Sequence, residues 1–202
     1  MEPRILVAVT GASGALYAER LVEALRTRVP RVYLLFSETA AKVVRHELRP
    51  RETGFSLAKS AQGEISEPDR GVIRLLRNDD LFAPVASGSS APTAMVVLPC
   101  SMGSLARIAQ GISSSLIERS ADVCLKQKRP LVLCPRETPL SAIHLRNMLT
   151  LSELGVHIVP AMPAFYQHPK TLDDLADFQA GRVLEVLGLE HDLYDPWNVR
   201  MR

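Results

Sequence analysis

The chain has few of the residues that usually reveal a function. It has three cysteines, Cys100, Cys124 and Cys134, an odd number with no C-x-x-C pair. That argues against a disulfide framework or a thiolate zinc site, and for a reducing compartment, the cytoplasm. One tryptophan and 5% aromatics leave no alternation of rings with basic residues of the kind a nucleic-acid surface uses. The formal charge of +2 is too small to attract a polyanion. No apolar run reaches the ~20 residues of a membrane span. The start, Met-Glu-Pro-Arg, leads into a short apolar stretch with a charged helix pattern behind it, unlike a signal peptide. Neither nucleic acid nor membrane is therefore expected as a partner. Three common signatures are also missing: the dinucleotide pattern G-x-G-x-x-G, the Gly-Lys-Ser/Thr of a phosphate loop, and the Gly-x-Ser-x-Gly elbow.

What remains is a 202-residue chain with 47% hydrophobic and 23% charged residues, enough for one core without staples. Short apolar runs alternate with helical periodicity. Ile5–Val9, Val32–Phe36, Val72–Leu76, Ala94–Leu98, Leu131–Cys134 and Val156–Val159 read as buried strands. Ala15–Arg28, Glu38–Glu47, Leu116–Gln127 and a last helix capped by Thr171 read as helices. The order predicts an α/β fold: a single domain of three layers, with a Rossmann-like or flavodoxin-like parallel sheet and helices on both faces. Residues 1–188 form that domain. Residues 189–202 form a tail placed to close over a site. The stretch from Leu48 to Arg70 is polar, without clear period, and reads as a surface excursion.

Three later strands run into proline, at Pro99, Pro135 and Pro160, where a central ladder is expected to stop. In an open parallel sheet these carboxyl ends share one edge, and ligands bind in the crevice beside it. Thr10-Gly11-Ala12-Ser13-Gly14 ends the first strand there, and Ser101-Met102-Gly103-Ser104 follows Pro99 in the same manner. Glycine, hydroxyl and a helix start suit a phosphate; the structural alternative is a tight turn capped by Ser13. Arg136-Glu137 follow Pro135 and bring a cation and a carboxylate to that edge. Arg119, Asp122 and Lys126 form one helical stripe. Arg182 emerges beside an apolar stripe of Leu172, Leu175, Phe178, Val183 and Val186. Asp173-Asp174-x-x-Asp177 matches the magnesium motif of all-helical prenyl diphosphate enzymes, but acidic residues in a first helical turn have a dipole and capping explanation. His144 and His168 lack metal-spaced partners, so no metal site is expected.

Together, "TGASGALYAERL", "SETAAKV", "SGSSAPTAMVVLPCSMGSLARIAQG", "LIERSADVCLKQKRPLVLCPRETPLSAIHLRNM" and "PAFYQHPKTLDDLADF" resemble the flavin prenyltransferases (UbiX-type), which are similar to the flavin-containing cysteine decarboxylases. The resemblance spans nearly the whole chain. It implies transfer of a dimethylallyl group from dimethylallyl monophosphate to N5 and C6 of reduced FMN, giving prenylated FMN for a partner decarboxylase of the UbiD type, often in ubiquinone synthesis. It implies that FMN is held by Gly11, Ala12, Ser13, Ser37, Ser101, Met102, Gly103, Ser104 and Arg136, with Ser13 beside N5. Lys126, Tyr166 and Arg182 would bind the prenyl phosphate without a metal, and Glu137 would act as acid and base. The implied catalytic set is Ser13, Glu137 and Lys126. Arg119 and Trp197 would line or close the site. Ser87, Gly88 and Ser89 would enter from a neighbouring subunit, because members of the family are dodecamers.

One departure and two rivals accompany the resemblance. Ser113-Ser114-Ser115 stands where many relatives carry asparagine. Pro160-Ala-Met162-Pro163 lacks the asparagine of the cysteine decarboxylases' Pro-x-Met-Asn motif, which weighs against decarboxylation of cysteinyl peptides. A non-catalytic FMN carrier would leave Lys126, Glu137, Tyr166 and Arg182 without a purpose.

Overall fold

The computed structural model describes residues 2–52, 54–66 and 69–195. Six parallel strands form one sheet: β1 (Arg4–Val9), β2 (Arg31–Phe36), β3 (Ile73–Leu76), β4 (Ala94–Cys100), β5 (Leu131–Pro135) and β6 (His157–Ile158). They lie in the order β3-β2-β1-β4-β5-β6. Of the two doubly wound arrangements expected, this is the order of dinucleotide-binding sheets, with its switch point between β1 and β4. β1 and β4 are buried almost throughout, as strands covered on both faces must be. The two edges are short, four residues in β3 and two in β6, which leaves little unpaired backbone for another chain to extend.

Alternate residues of the strands feed two cores. Ile5, Val7 and Val9 pack with α1 (Ala15–Leu25), α2 (Glu38–Glu47) and α7 (Leu172–Val186). Leu6 and Ala8 face α4 (Met102–Ala109), α5 (Leu116–Lys126) and α6 (Ala142–Glu153). α7 packs into the core shared with α1 and the sheet through Ala180, Val183 and Leu184, whereas Leu172, expected in its apolar stripe, is exposed. Small residues there allow the two helices to approach closely.

The excursion from Leu48 to Arg70 is a packed layer. Phe55 and Leu57 are buried, and Leu57 opens a one-turn helix, α3 (Leu57–Ser60). Its polar character has a local cause, because α1 presents charged partners to it. Leu57 N donates to Glu19 Oε1 at 3.0 Å and Phe55 N to Glu23 Oε2 at 3.0 Å. Arg51 pairs with the buried Glu19 at 2.9 Å, and Arg26 with Asp69 at 2.9 Å. Burial pushes the Glu19 carboxyl up, opposed by Leu57 N–H and Arg51. Residues 189–195 fold back on α1 and α7: Arg28 bonds Asp192 at 2.5 Å and the Glu190 carbonyl at 3.2 Å. Among the described residues no helix is long and apolar enough to cross a membrane.

Candidate active site

The crevice lies at the carboxyl ends of β1 and β4, and one threonine joins its walls. Thr10 Oγ1 donates to the Pro99 carbonyl at 2.8 Å and accepts from Ser101 N at 2.7 Å, while Thr10 N also reaches the Pro99 carbonyl, at 3.2 Å. Pro99 does not end β4. It sits inside the strand, where the register with β5 shifts between Val97 and Cys100, a place where its missing N–H breaks no ladder bond.

The two glycines of the first turn have separate reasons. A Cβ on Gly11 would lie 2.6 Å from Thr39 Cγ2 at the start of α2. Gly14, at φ 114°, is the N-cap of α1 in the left-handed region, where a side chain is strained. Ser13 is therefore not the cap. Glu47, the last residue of α2, caps α1 instead: its Oε2 accepts from Gly14 N at 2.9 Å and Ala15 N at 2.8 Å, with the Ser13 hydroxyl beside the same carboxylate. Burial works against the charge of Glu47, but Ser13, the two N–H groups and nearby Arg136 outweigh it and hold its pKa below the usual carboxylate value. A carboxylate at a helix N-terminus is stabilised by the aligned peptide dipoles. Sequence reasoning missed Glu47, which lies 33 residues from Gly14, beyond the SETAAKV stretch that opens its helix.

Among the described residues, the N–H groups of Gly11, Ala12 and Ser13 bond no protein acceptor, and neither do those of Met102 and Gly103 at the start of α4. Ser101 caps α4, accepting from Ser104 N at 3.4 Å. Ser104 is buried, its hydroxyl accepting from Ser101 and Arg107. Ser37 caps α2 beside Gly11. Arg136, exposed, bonds Cys100 O through its backbone N–H at 3.2 Å, and its charge acts on both Glu47 and Tyr17. Tyr17 packs under Gly14 and lies in the same crevice, unnoticed in the sequence. Glu137 is exposed one residue further, its Oε1 accepting from Thr138 N at 2.9 Å. A nest of free donors beside a cation suits a phosphate, so the crevice fits FMN. Cys100, Cys124 and Cys134 are free and buried, and burial pushes the first two thiols up to about 12; none is an activated nucleophile.

The remaining expected residues stand elsewhere. α5 begins at the carboxyl edge, where Leu116 N bonds Asn78 O at 2.8 Å, and ends beside the first residues of β5. Lys126, in its last turn, therefore stands about 15 Å, the rise of ten helical residues, from that edge. Arg119 reaches the Ala86 carbonyl at 3.1 Å and Asp122 at 3.1 Å. Residues Ser87, Gly88 and Ser89 lie alongside α5 as well; a Cβ on Gly88 would meet Gln127 Nε2 at 2.7 Å. Tyr166 and Arg182 form a third group on α7 and the loop before it: Tyr166 stacks edge-on against Phe178 at 5.6 Å, and its phenol acts on Arg182. Trp197 lies outside the described residues. The three aspartates of the D-D-x-x-D match point to different partners: Asp173 to Arg51, Asp174 to the N–H groups of Lys170 and Thr171, and Asp177 to Arg20 through two bonds of 2.5 and 2.8 Å. The serine run before α5 is spent on capping: Ser115 and Glu118 form a capping box, and Ser114 donates to Glu118 at 2.6 Å.

Comparison with known proteins decides the family. The Flavoprotein family profile matches residues 1–187. The flavin prenyltransferase UbiX of Halalkalibacterium halodurans is 49% identical over 191 residues, covering 95% of this chain and 91% of the relative. The chain belongs to this family of flavin prenyltransferases. A crystal structure of AnUbiX (PadA1) in complex with FMN and dimethylallyl pyrophosphate matches with a TM-score of 0.86 at 38% identity, covering 98% of both chains. A dodecameric FMN-dependent UbiX-like decarboxylase from Escherichia coli O157:H7 matches with a TM-score of 0.81 at 40% identity, over 93% of this chain and 96% of the other. Family members thus carry flavin on this same scaffold.

Proposed function

We propose that this chain joins a dimethylallyl group from dimethylallyl monophosphate to N5 and C6 of reduced FMN, and that a UbiD-type decarboxylase uses the product. The observation that carries the reading is the donor-lined crevice with Glu47 capping its first helix, in a chain 49% identical to a flavin prenyltransferase. Reduced FMN, when bound, supplies the two nucleophilic ring atoms. Gly11, Ala12, Ser13, Met102 and Gly103 hold its phosphate and ring edge through backbone N–H groups, with Ser37, Ser101 and Arg136 around them. Ser104, being buried, supports the Ser101 cap. Ser13 stands at the reacting ring edge, and Glu47 accepts a hydrogen bond from its hydroxyl and keeps it oriented. Glu137, exposed at the same edge, exchanges protons with the departing phosphate.

Fixed cations lower the barrier for an allylic phosphate to leave by meeting its developing charge. Lys126 and Arg182 are those cations, assisted by the Tyr166 hydroxyl, with Arg119 behind Ser87–Ser89. In one chain they stand away from the crevice, so we assign them to the crevices of neighbouring copies in a homo-oligomer, by likeness to the dodecameric relative. α6 supports assembly: it buries only Asn147 and Leu151 on its own chain, while Leu145 and Leu149 on its opposite side are more than half exposed, and an exposed apolar patch of this kind marks an interface. Three free buried cysteines fit a cytoplasmic setting.

The test is anaerobic incubation with reduced FMN and dimethylallyl monophosphate, followed by mass spectrometry of the extracted flavin. A flavin heavier by one isoprenyl unit is expected. Unmodified FMN, recovered from protein that binds it well, overturns the transferase reading and leaves a flavin carrier.

A further inference from the structure

Arg182 is held by the carboxyl-terminal segment as well as by its own helix. Its Nη1 pairs with Glu185 Oε2, one turn on. The other oxygen, Glu185 Oε1, accepts from the Tyr194 hydroxyl at 2.5 Å. Glu185 thus bridges the two groups, one carboxylate oxygen to Arg182 and the other to Tyr194. His191 Nδ1 accepts from Leu193 N at 3.3 Å, which leaves its Nε2 toward Glu185 Oε1 at 3.6 Å. The Tyr194 ring is seated by stacking on Phe178, with centroids 4.8 Å apart. Gly181 makes that seat: a Cβ there would lie 2.4 Å from Tyr194 Cε1.

A guanidinium presents five N–H donors in a rigid fork. With one part turned toward Glu185 and Tyr194, the rest is directed outward in a fixed pose, and a pre-set fork loses less freedom when it grips a phosphate. We propose that Tyr194, through Glu185 and on a seat provided by Gly181, is the positioning residue that presents Arg182 to the prenyl phosphate. This rests on the assignment of Arg182 to that phosphate. Residues 189–195 then serve the site from behind: they aim its cation.

The test titrates dimethylallyl monophosphate calorimetrically into full-length protein carrying oxidised FMN, so that binding is read without turnover. Tyr194→Phe keeps the ring stack and removes the hydroxyl; it weakens binding about five-fold, the net worth of one ordinary hydrogen bond, and leaves FMN affinity unchanged. Gly181→Ala, which unseats the ring without touching Arg182 or Glu185, weakens it to a similar degree. In an Arg182→Ala background, Tyr194→Phe adds nothing. Wild-type affinity in Tyr194→Phe, or an equal loss with and without Arg182, overturns the positioning role while leaving the assignment of Arg182 intact. Wild-type affinity in Arg182→Ala overturns both.

Discussion

The crevice and the flanks of this molecule are built differently. At the crevice, one chain supplies everything: Thr10 joins β1 to β4, Glu47 closes the start of α1, and the free N–H groups of Gly11–Ser13 face those opening α4. On the flanks, Lys126 and Arg182 stand on the outer sides of α5 and α7, and Lys126 has no hydrogen-bond or ion-pair partner among the described residues. In the proposed assignment the first region holds the flavin from one chain, and the second supplies its cations to a neighbour's crevice. Under that assignment the proposed chemistry calls for an assembly.

The contrast is broken most severely by Lys126→Ala. This variant should lose about 10²–10³-fold in prenylation rate, the range for removing one preorganised electrostatic contact, while binding FMN as the wild type does; quenched time courses read by mass spectrometry check the first and fluorescence titration the second. Leu145→Glu with Leu149→Glu should next separate fold from assembly. Sedimentation should find a smaller species with unchanged circular dichroism and little prenylation.

Gly14→Ala attacks the crevice alone. A side chain at φ 114°, 2.7 Å from the Tyr17 ring, should cost about 1–3 kcal/mol in urea unfolding. The smallest effect is the pH dependence of Glu47. Its pKa is lowered by folding, so its stabilisation is complete above the ordinary carboxylate value and is lost as pH falls through the lower folded value. Glu47→Gln should therefore be less stable than wild type at neutral pH, and the gap should close in acid.

The continuous apolar runs made the sheet legible, because a strand buried on both faces has no polar alternation to obscure it. α2 occupies the residues its period indicates, Glu38–Glu47. The strand ends located the crevice. Less legible were features that depend on distant partners. Glu47 reaches Ser13 only because β2 and α2 return the chain to the first turn. The excursion read as surface because its polar groups meet Glu19, Glu23 and Arg26 on α1. Pro99 looked like a strand end because a register shift cannot be read from one strand. Spacing along α5 puts Arg119 and Lys126 on one stripe but does not say which edge of the sheet Lys126 approaches.

The most direct measurement is complementation by mixed subunits. A crevice-deficient variant, Ser13→Ala with Arg136→Ala, is co-expressed with a flank-deficient one, Lys126→Ala with Arg182→Ala, and prenylated FMN is quantified. Each alone should make almost none, and the mixture should recover a substantial part of wild-type yield, because some sites combine an intact crevice from one copy with intact cations from another. A mixture no more active than the sum of its parts would contradict the shared site.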